Sequence, residues 1–238
     1  MQLTPQKTVA EIAALNPSSI RVFESLGIDY CCGGRMSLQD SCARADLDLN
    51  RVVELLEKAD DEALAAKPVE WNNKTLSELT TYIVDKHHKF VRQETPRIGA
   101  LLSKVAGKHG PAHPELREIE QLFNAIAREL STHMIKEEQI LFPFISRLEQ
   151  AVAGGGPRPS ACFGNVQQPI ATMMAEHDDA GALLAKIRKL SNGYAPPEGA
   201  CTSFIAMYRG IEEFERDLHQ HVHLENNILF PRVIELER

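Results

Sequence analysis

The sequence predicts an all-α protein in which a small helical domain, residues 1–66, precedes an antiparallel four-helix bundle, residues 74–238. Apolar residues recur with a helical period along most of the chain, and no segment shows the sustained alternation that predicts a β-strand. Four long periodic stretches in the second part are joined by connections that contain Gly and Pro, which is typical of a helical bundle. One motif occurs in two of these stretches, which indicates two similar helical hairpins.

The composition is that of an ordinary globular chain, with 43% hydrophobic and 25% charged residues. No apolar run is long enough for a transmembrane helix, and the N-terminal segment mixes charges instead of forming the apolar core of a secretory signal. We therefore expect a cytoplasmic protein. The net charge of −7 and the lack of a basic cluster predict that neither nucleic acid nor a membrane is a partner.

Helix signals divide the N-terminal domain into four short helices. The first begins at a capping box, Thr8-Val-Ala-Glu11, in which a hydroxyl and a carboxylate satisfy free backbone donors. A second helix is expected to end at Gly27, because glycine adopts the backbone conformation that terminates helices. The remaining two are predicted from about Leu38, and from about Leu49 to Ala66.

The long helices are expected to begin after a linker, residues 67–73, that lacks helical periodicity. A second capping box, Thr75-Leu-Ser-Glu78, marks the start of the first one. The four helices are predicted at about 75–106, 114–148, 168–191 and 197–236.

The repeated motif has the form H-x3-E-x2-I-L-F-P and occupies residues 133–143 and 221–231. Residues four apart share one face of an α-helix, so each copy presents an imidazole beside a carboxylate. We expect Ile140 to Pro143, and Ile228 to Pro231, to pack in the core and to stop or kink the helix.

The repeat extends upstream of the motif. His88 lies 45 residues before His133, and His177 lies 44 residues before His221, although the neighbouring His87 remains an alternative in the first half. Each predicted hairpin therefore carries one His on its first helix, and His plus Glu on its second. Pairing the two hairpins would bring together four imidazoles and two carboxylates.

This donor set predicts a metal centre. A single His/Glu pair is commonly a solvated helix pair, but the duplication of spacing, sequence and upstream His favours ligation. Imidazole and carboxylate suit first-row metals such as iron and manganese. Six protein ligands are too many for one tetrahedral ion and suit two, each bound by two His, with Glu137 and Glu225 bridging between them.

Other polar residues near the motifs are weaker candidates. Glu129 and Asp217 lie four residues before a motif His, and Glu176 precedes His177, so each is a candidate to support a ligand from outside or to be a solvated carboxylate. We expect His219 and His223 to lie on the surface, because they point away from the face of His221.

The five cysteines form an odd, dispersed set, which indicates a reducing compartment instead of a disulfide framework. Cys31 and Cys32 lie in the turn-like segment Asp29-Tyr-Cys-Cys-Gly-Gly34, which is expected to expose two thiols that bind soft metal, take a nitrosyl group or exchange disulfide. Small packing residues are the alternative interpretation. Cys42, Cys162 and Cys201 have no surrounding motif and are expected to be structural.

The paired motifs, Glu176-His177-Asp178 and the Cys-Cys turn together resemble the repair-of-iron-centres family of hemerythrin-like di-iron proteins. The resemblance covers nearly the whole chain. It implies a hemerythrin-like bundle with two iron ions, joined by an oxo or hydroxo bridge. The implied iron ligands are His88, His133, Glu137, His177, His221 and Glu225.

The resemblance also implies a function in nitrosative and oxidative stress, namely the repair of damaged iron–sulfur proteins by donation of labile iron. Two alternatives remain at this point, with nitric oxide and dioxygen as small ligands. One is enzymatic reduction of nitric oxide to nitrous oxide. The other is reversible binding or sensing of dioxygen or nitric oxide, although oxygen carriers of this type have five His instead of the four counted here. A monomer and a homodimer are both compatible with the sequence.

Overall fold

The computed structural model describes residues 4–31, 33–63, 71–160 and 163–238. Regular structure within these residues is helical, apart from one isolated β-bridge between Thr8 and Ser37. The predicted all-α class, a helical bundle with a small N-terminal domain, is therefore confirmed. None of the described helices is both long and apolar enough to span a membrane.

The described residues of the N-terminal part form four short helices, as predicted. They are α1 (Val9–Leu15), α2 (Ser19–Leu26), α3 (Leu38–Arg44) and α4 (Leu49–Ala63). The capping box is present, because Thr8 Oγ1 accepts from Glu11 N at 3.2 Å and Glu11 Oε2 accepts from Thr8 N at 2.9 Å. Gly27 ends α2 with a φ of 68°, a conformation that is strained for side-chain-bearing residues.

Beyond residue 70, the described α-helices form four nearly continuous rods. They are α5 (Leu76–Tyr82), α6 (Lys89–His109), α7 (Glu115–Lys136), α8 (Phe142–Ala153), α9 (Gln167–Leu190), α10 (Thr202–Leu224) and α11 (Phe230–Glu237). Three π-helical turns, Ile83–His88, Glu137–Leu141 and Glu225–Leu229, join α5 to α6, α7 to α8 and α10 to α11. The last rod begins at Thr202 instead of the predicted residue 197.

The prolines of the two motifs do not stop their helices, so of the two predicted outcomes, a stop or a kink, the stop is wrong. The π-helical turn of each motif closes with a backbone hydrogen bond that spans five residues. Phe142 N donates to Glu137 O, and Phe230 N donates to Glu225 O. Proline has no N–H for the i→i−4 ladder, and the wider turn shifts the register where that donor is missing. The helix then continues to Ala153 in the first copy.

Packing of the motif residues is confirmed for most of them but not for Ile140. Leu141, Phe142, Leu229 and Phe230 are buried, whereas 47% of Ile140 is exposed. The prolines also lie at the surface, as Pro143 and Pro231 are exposed.

Contacts divide the described residues into two compact units. One runs to Leu79 and includes His219–Leu236 and Arg238, and the other contains Thr80–Leu218 and Glu237. The predicted linker lies mostly outside the described residues, which resume at Trp71. The domain boundary between residues 66 and 74 therefore stays a prediction.

The second unit has an aromatic and aliphatic core around α7, which packs against both α6 and α9. Phe123 on α7 is fully buried and meets the ring of Phe214 edge to face, with centroids 5.2 Å apart. Glu215 fixes the connection before α10, because it accepts hydrogen bonds from Arg188 Nε at 3.0 Å and from the Tyr194 hydroxyl at 2.9 Å. These contacts stabilise the packing of α7, α9 and α10 within the second unit.

Replacing Phe123 with alanine should lower the free energy of unfolding by about 3–5 kcal/mol, because the change removes a buried ring and leaves a cavity. Ile135→Ala on the same helix is the matched control, since 46% of Ile135 is exposed. Its effect should stay within about 0.5 kcal/mol. Urea unfolding of both variants checks this, and equal losses of stability would contradict the assignment of the core.

Candidate metal centre

Six His and Glu side chains that lie close together on the long rods are among the most deeply buried polar groups of the described residues. Charged residues are seldom fully buried unless they are paired or bind a metal. Glu137 and Glu225 have no exposed surface at all, and each of the four imidazoles is at most 2% exposed. The six are His88, His133, Glu137, His177, His221 and Glu225.

These side chains form two overlapping groups whose ligand atoms all lie within 4.8 Å of one another. The first position comprises His88, Glu137, His221 and Glu225. The second comprises His133, Glu137, His177 and Glu225. Each position thus has two imidazoles of its own, and both carboxylates are common to the two positions. The structure brings together the residues that the sequence singled out as ligands, with His88 and not His87 among them.

The spacing within each motif explains part of this arrangement. His133 Nε2 lies 3.3 Å from Glu137 Oε1, and His221 Nε2 lies 3.0 Å from Glu225 Oε1. In both copies the Glu is the first residue of a π-helical turn. Such turns replace one α-helical turn by a wider one and are frequent at functional sites.

The Nδ1 atoms of two imidazoles point away from the cluster, and their hydrogen bonds determine which tautomer each ring adopts. His88 Nδ1 lies 2.6 Å from Glu138 Oε1, and His133 Nδ1 lies 2.7 Å from Glu176 Oε2. An ionised carboxylate only accepts hydrogen bonds, so each Nδ1 carries the proton. The Nε2 atom of a neutral ring is then left with a lone pair, which is the form that binds metals.

The inner atoms face one another in a way that suits bound cations. His133 Nε2 lies 3.0 Å from His177 Nε2, and His88 Nε2 lies 3.3 Å from Glu137 Oε2. Lone pairs at these separations repel unless a proton or a cation lies between them. Nitrogen and oxygen donors without a thiolate suit iron or manganese, so this donor set fits such ions.

Glu176 supports His133 from outside the cluster, as one interpretation of the sequence suggested. The carboxylate also pairs with Lys136. Partial burial alone would raise the pKa of Glu176, but its hydrogen bonds with Lys136 and His133 outweigh this effect and hold the pKa below its ordinary value. Glu176 is therefore ionised at neutral pH and accepts a hydrogen bond from the Nδ1–H group of His133.

The other outer candidates lie elsewhere. Glu129 is exposed on α7, which favours the interpretation of this residue as a solvated carboxylate over a role in supporting a ligand. Asp217 lies 3.0 Å from His87 Nδ1, and His87 is buried with its ring edge against Tyr82. His87 thus belongs to a neighbouring polar pair.

Sequence reasoning missed Glu138, which contacts His88 from outside the cluster, and Arg92, which pairs with Glu138. Adjacent helical residues do not normally share a face, so Glu137 and Glu138 were not expected to serve one site. The π-helical turn starting at Glu137 changes that local geometry. The only signal in the sequence is the consecutive Glu pair directly after a motif His.

The expectation that His223 lies on the surface is wrong. Only 2% of His223 is exposed, its Nδ1 lies 2.9 Å from Asn227 Nδ2, and its ring packs edge-on against Tyr30 at 5.5 Å. Burial lowers the pKa of His223 to about 4. His219 is half-buried, with its ring 6.3 Å from that of Tyr30. The helical pattern placed both rings away from His221 but did not reveal that the N-terminal segment covers them.

The Cys-Cys turn is built around Asp29. Its carboxylate accepts hydrogen bonds from the backbone of Cys31 at 3.0 Å and of Gly33 at 2.8 Å. Cys31 is buried and its thiol lies 3.3 Å from Asp29 Oδ1, so the expectation of an exposed thiol is wrong for this residue. Cys32 lies outside the described residues.

The three remaining cysteines have no part in the cluster as far as the structure describes them. Cys42 is buried in the core of the first unit, as a structural role predicts. Cys201 lies just before α10, with its sulfur 3.4 Å from His109 Nε2. Cys162 is outside the described residues.

Two domain families match the chain. Residues 79–233 match the Hemerythrin HHE cation binding domain, and residues 5–60 match the ScdA_N domain, which is described as a domain of unknown function. The first range contains the whole buried His and Glu cluster, and the second contains the Cys-Cys turn. The similarity to a cation-binding domain therefore falls on the residues with the geometry of a metal centre.

Curated relatives match nearly end to end and share one name, iron-sulfur cluster repair protein YtfE. The Pectobacterium atrosepticum protein is 36% identical over 231 residues, 96% of each chain. The Edwardsiella ictaluri protein is 37% identical over 228 residues, again 96% of each chain. The Citrobacter koseri protein is 37% identical over 228 residues, which are 95% of this chain and 96% of that protein.

His223 should make the metal-free protein sensitive to acid. Its folded pKa of about 4 lies below the ordinary value of 6.5, so between these values only the unfolded state binds the proton. Stability is therefore lost as the pH falls through this window, by on the order of 1–3 kcal/mol. In His223→Gln this part of the loss should disappear. Urea unfolding from about pH 7.5 to about pH 4.5 measures it, and parallel stability curves for the two proteins would refute it.

Proposed function

This chain belongs to the repair-of-iron-centres family of hemerythrin-like proteins, and from that premise we propose that it repairs iron–sulfur clusters damaged by nitrosative or oxidative stress. The observation that carries the proposal is the buried pair of metal positions with two shared carboxylates. The iron held there is the cargo that the damaged cluster receives.

The donor set supports two iron ions per chain. His88 and His221 would hold one ion, and His133 and His177 the other. Glu137 and Glu225 would bridge, because both carboxylates are common to the two positions. Two iron ions bound in this way would lie close together and supply redox chemistry. We also propose that an oxide or hydroxide completes the bridge between them.

The number of protein donors is compatible with release of the ions. Two ions that share six protein side chains have coordination positions that the protein does not fill, so ligands of an acceptor can enter before a protein ligand leaves. The donors are imidazole and carboxylate, without the soft thiolates that build iron–sulfur clusters. Transfer to a thiolate-rich acceptor is therefore chemically reasonable.

Contacts of the Cys-Cys turn support a role for it in the same process. Asn227 Nδ2 donates to the carbonyl oxygen of Tyr30 at 2.9 Å, and Tyr30 packs against His223. Asn227 and His223 each lie two residues from Glu225, so the turn rests on the helical segment that presents a bridging carboxylate. We propose that the cysteines of the turn react with the acceptor cluster or its nitrosyl groups, and that the buried Cys31 becomes accessible by local opening of the turn.

The relatives' name favours repair over the two alternatives, reduction of nitric oxide and reversible gas binding. Damaged iron–sulfur proteins are accordingly the proposed partners. A location in the cytoplasm and a monomeric or dimeric state remain predictions.

A repair assay tests the proposal. The iron-loaded protein should restore activity to a nitric oxide-damaged iron–sulfur enzyme in the presence of a ferrous chelator that prevents repair by an equal amount of free iron. His133→Ala protein, treated in the same way, supplies the control without intact ligands. Equal recovery with the variant and the wild type would refute repair from this site.

The same assay isolates the thiols. Cys31→Ser should keep its bound iron but restore less enzyme activity, while Cys201→Ser should match the wild type because Cys201 is remote in sequence from the turn. Full activity of Cys31→Ser would remove this thiol from the proposed mechanism and leave the iron-donor role intact.

Metal content tests the ligand assignment directly. His133→Ala should lose at least one of two iron ions per chain, with a matching loss of visible absorption, because it removes an imidazole from the second position. His113→Ala is the matched control, since His113 is partly exposed and paired with Glu115. Unchanged iron content in His133→Ala would rule out the assignment.

A further inference from the structure

The imidazole of His88 lies between the carboxylates of two consecutive residues. Glu137 Oε2 lies 3.3 Å from Nε2 on the inner side, and Glu138 Oε1 lies 2.6 Å from Nδ1 on the outer side. The ring is fully buried and stacks on Phe142, with an interplanar angle of 17°. His88 is therefore fixed in both position and tautomer.

The outer contact is supported by a cation. Arg92 Nη2 lies 2.7 Å from the same oxygen of Glu138 that accepts from His88. Arg92 is 45% exposed and Glu138 is 26% exposed, whereas His88 is sealed from solvent. The partly exposed ion pair of Arg92 and Glu138 thus orients the fully buried imidazole of His88.

This support acts on one metal position only. His88 belongs to the first position and not to the second. In the second position His133 has its own outer carboxylate, Glu176, which is paired with Lys136. The two positions therefore have separate outer supports, although they share both inner carboxylates.

We propose that Glu138, held by Arg92, is a positioning residue that sets how tightly the first metal position retains its ion. The inference rests on the proposed di-iron function and extends it, because it makes the release of the two ions separately adjustable. Metal-binding histidines depend on a hydrogen bond at the other ring nitrogen for their orientation and basicity, and its removal typically lowers affinity about 10–100-fold.

Glu138→Gln removes the charge with little change in shape. A neutral amide is a weaker acceptor than a carboxylate, so the Nδ1–H tautomer of His88 loses its preference. The other tautomer carries a proton on Nε2 and does not ligate. Arg92→Gln should act in the same direction and more weakly, because the carboxylate would remain.

Iron release to ferrozine under anaerobic conditions tests the inference on full-length protein loaded with ferrous iron. One ion per chain should leave Glu138→Gln about 10–100-fold faster than it leaves the control Glu129→Gln, and the second ion should leave both at the same rate. Glu129 is a suitable control because it is an exposed carboxylate on α7. His88→Ala should lack the fast ion, which identifies it, and Glu138→Asp should restore part of the retention.

Several outcomes would overturn the inference. Equal release from Glu138→Gln and Glu129→Gln would show that Glu138 does not control retention, and faster release of both ions would show that its effect is not confined to one position. A lowered urea midpoint for Glu138→Gln with unselective release would assign Glu138 a structural role. Wild-type protein that binds no iron would instead refute the proposed function itself.

Discussion

The structure depends on burying two carboxylates, Glu137 and Glu225, in a helical core with no exposed surface. An uncompensated buried carboxylate is strongly destabilising, so the surrounding side chains must supply compensating charge or hydrogen bonds. Four imidazoles surround the carboxylates, and two of these rings have their outer nitrogens bound to further carboxylates. The whole arrangement is consistent with cations between the inner atoms, because those cations would remove the repulsion among their lone pairs.

The backbone has adapted to the same requirement. Three of the rods contain a π-helical turn, and each turn includes or directly follows residues of the cluster. Proline after the turns at Glu137 and Glu225 removes an N–H that a regular α-helix would use, which makes the wider register less costly. The Ile-Leu-Phe-Pro segment of each motif thus supplies core residues, apart from the exposed Ile140. Its proline also favours the π-helical turn that orients the Glu side chain.

Most of the fold and the inner cluster could be predicted from periodicity and repetition. The spacing of four residues between His133 and Glu137 specifies a shared helical face, and the second copy distinguishes a site from a chance pair. The outer residues could not be found in this way. Glu138 contacts His88 from within the π-helical turn, which the sequence pattern did not predict, and His223 is buried by a segment almost two hundred residues away in the sequence.

The separation between buried candidate ligands and half-exposed supports bears on the proposed function, in which the protein both retains and releases iron. The six inner side chains are at most 2% exposed, so their interactions change little without local opening. Glu138 and Glu176, with 26% and 34% exposure, interact with cations in a medium of higher effective dielectric, where ion pairs are weaker. In the proposed mechanism, metal retention is set partly by these half-exposed ion pairs, which can differ between the two positions without a change in the core around the buried carboxylates.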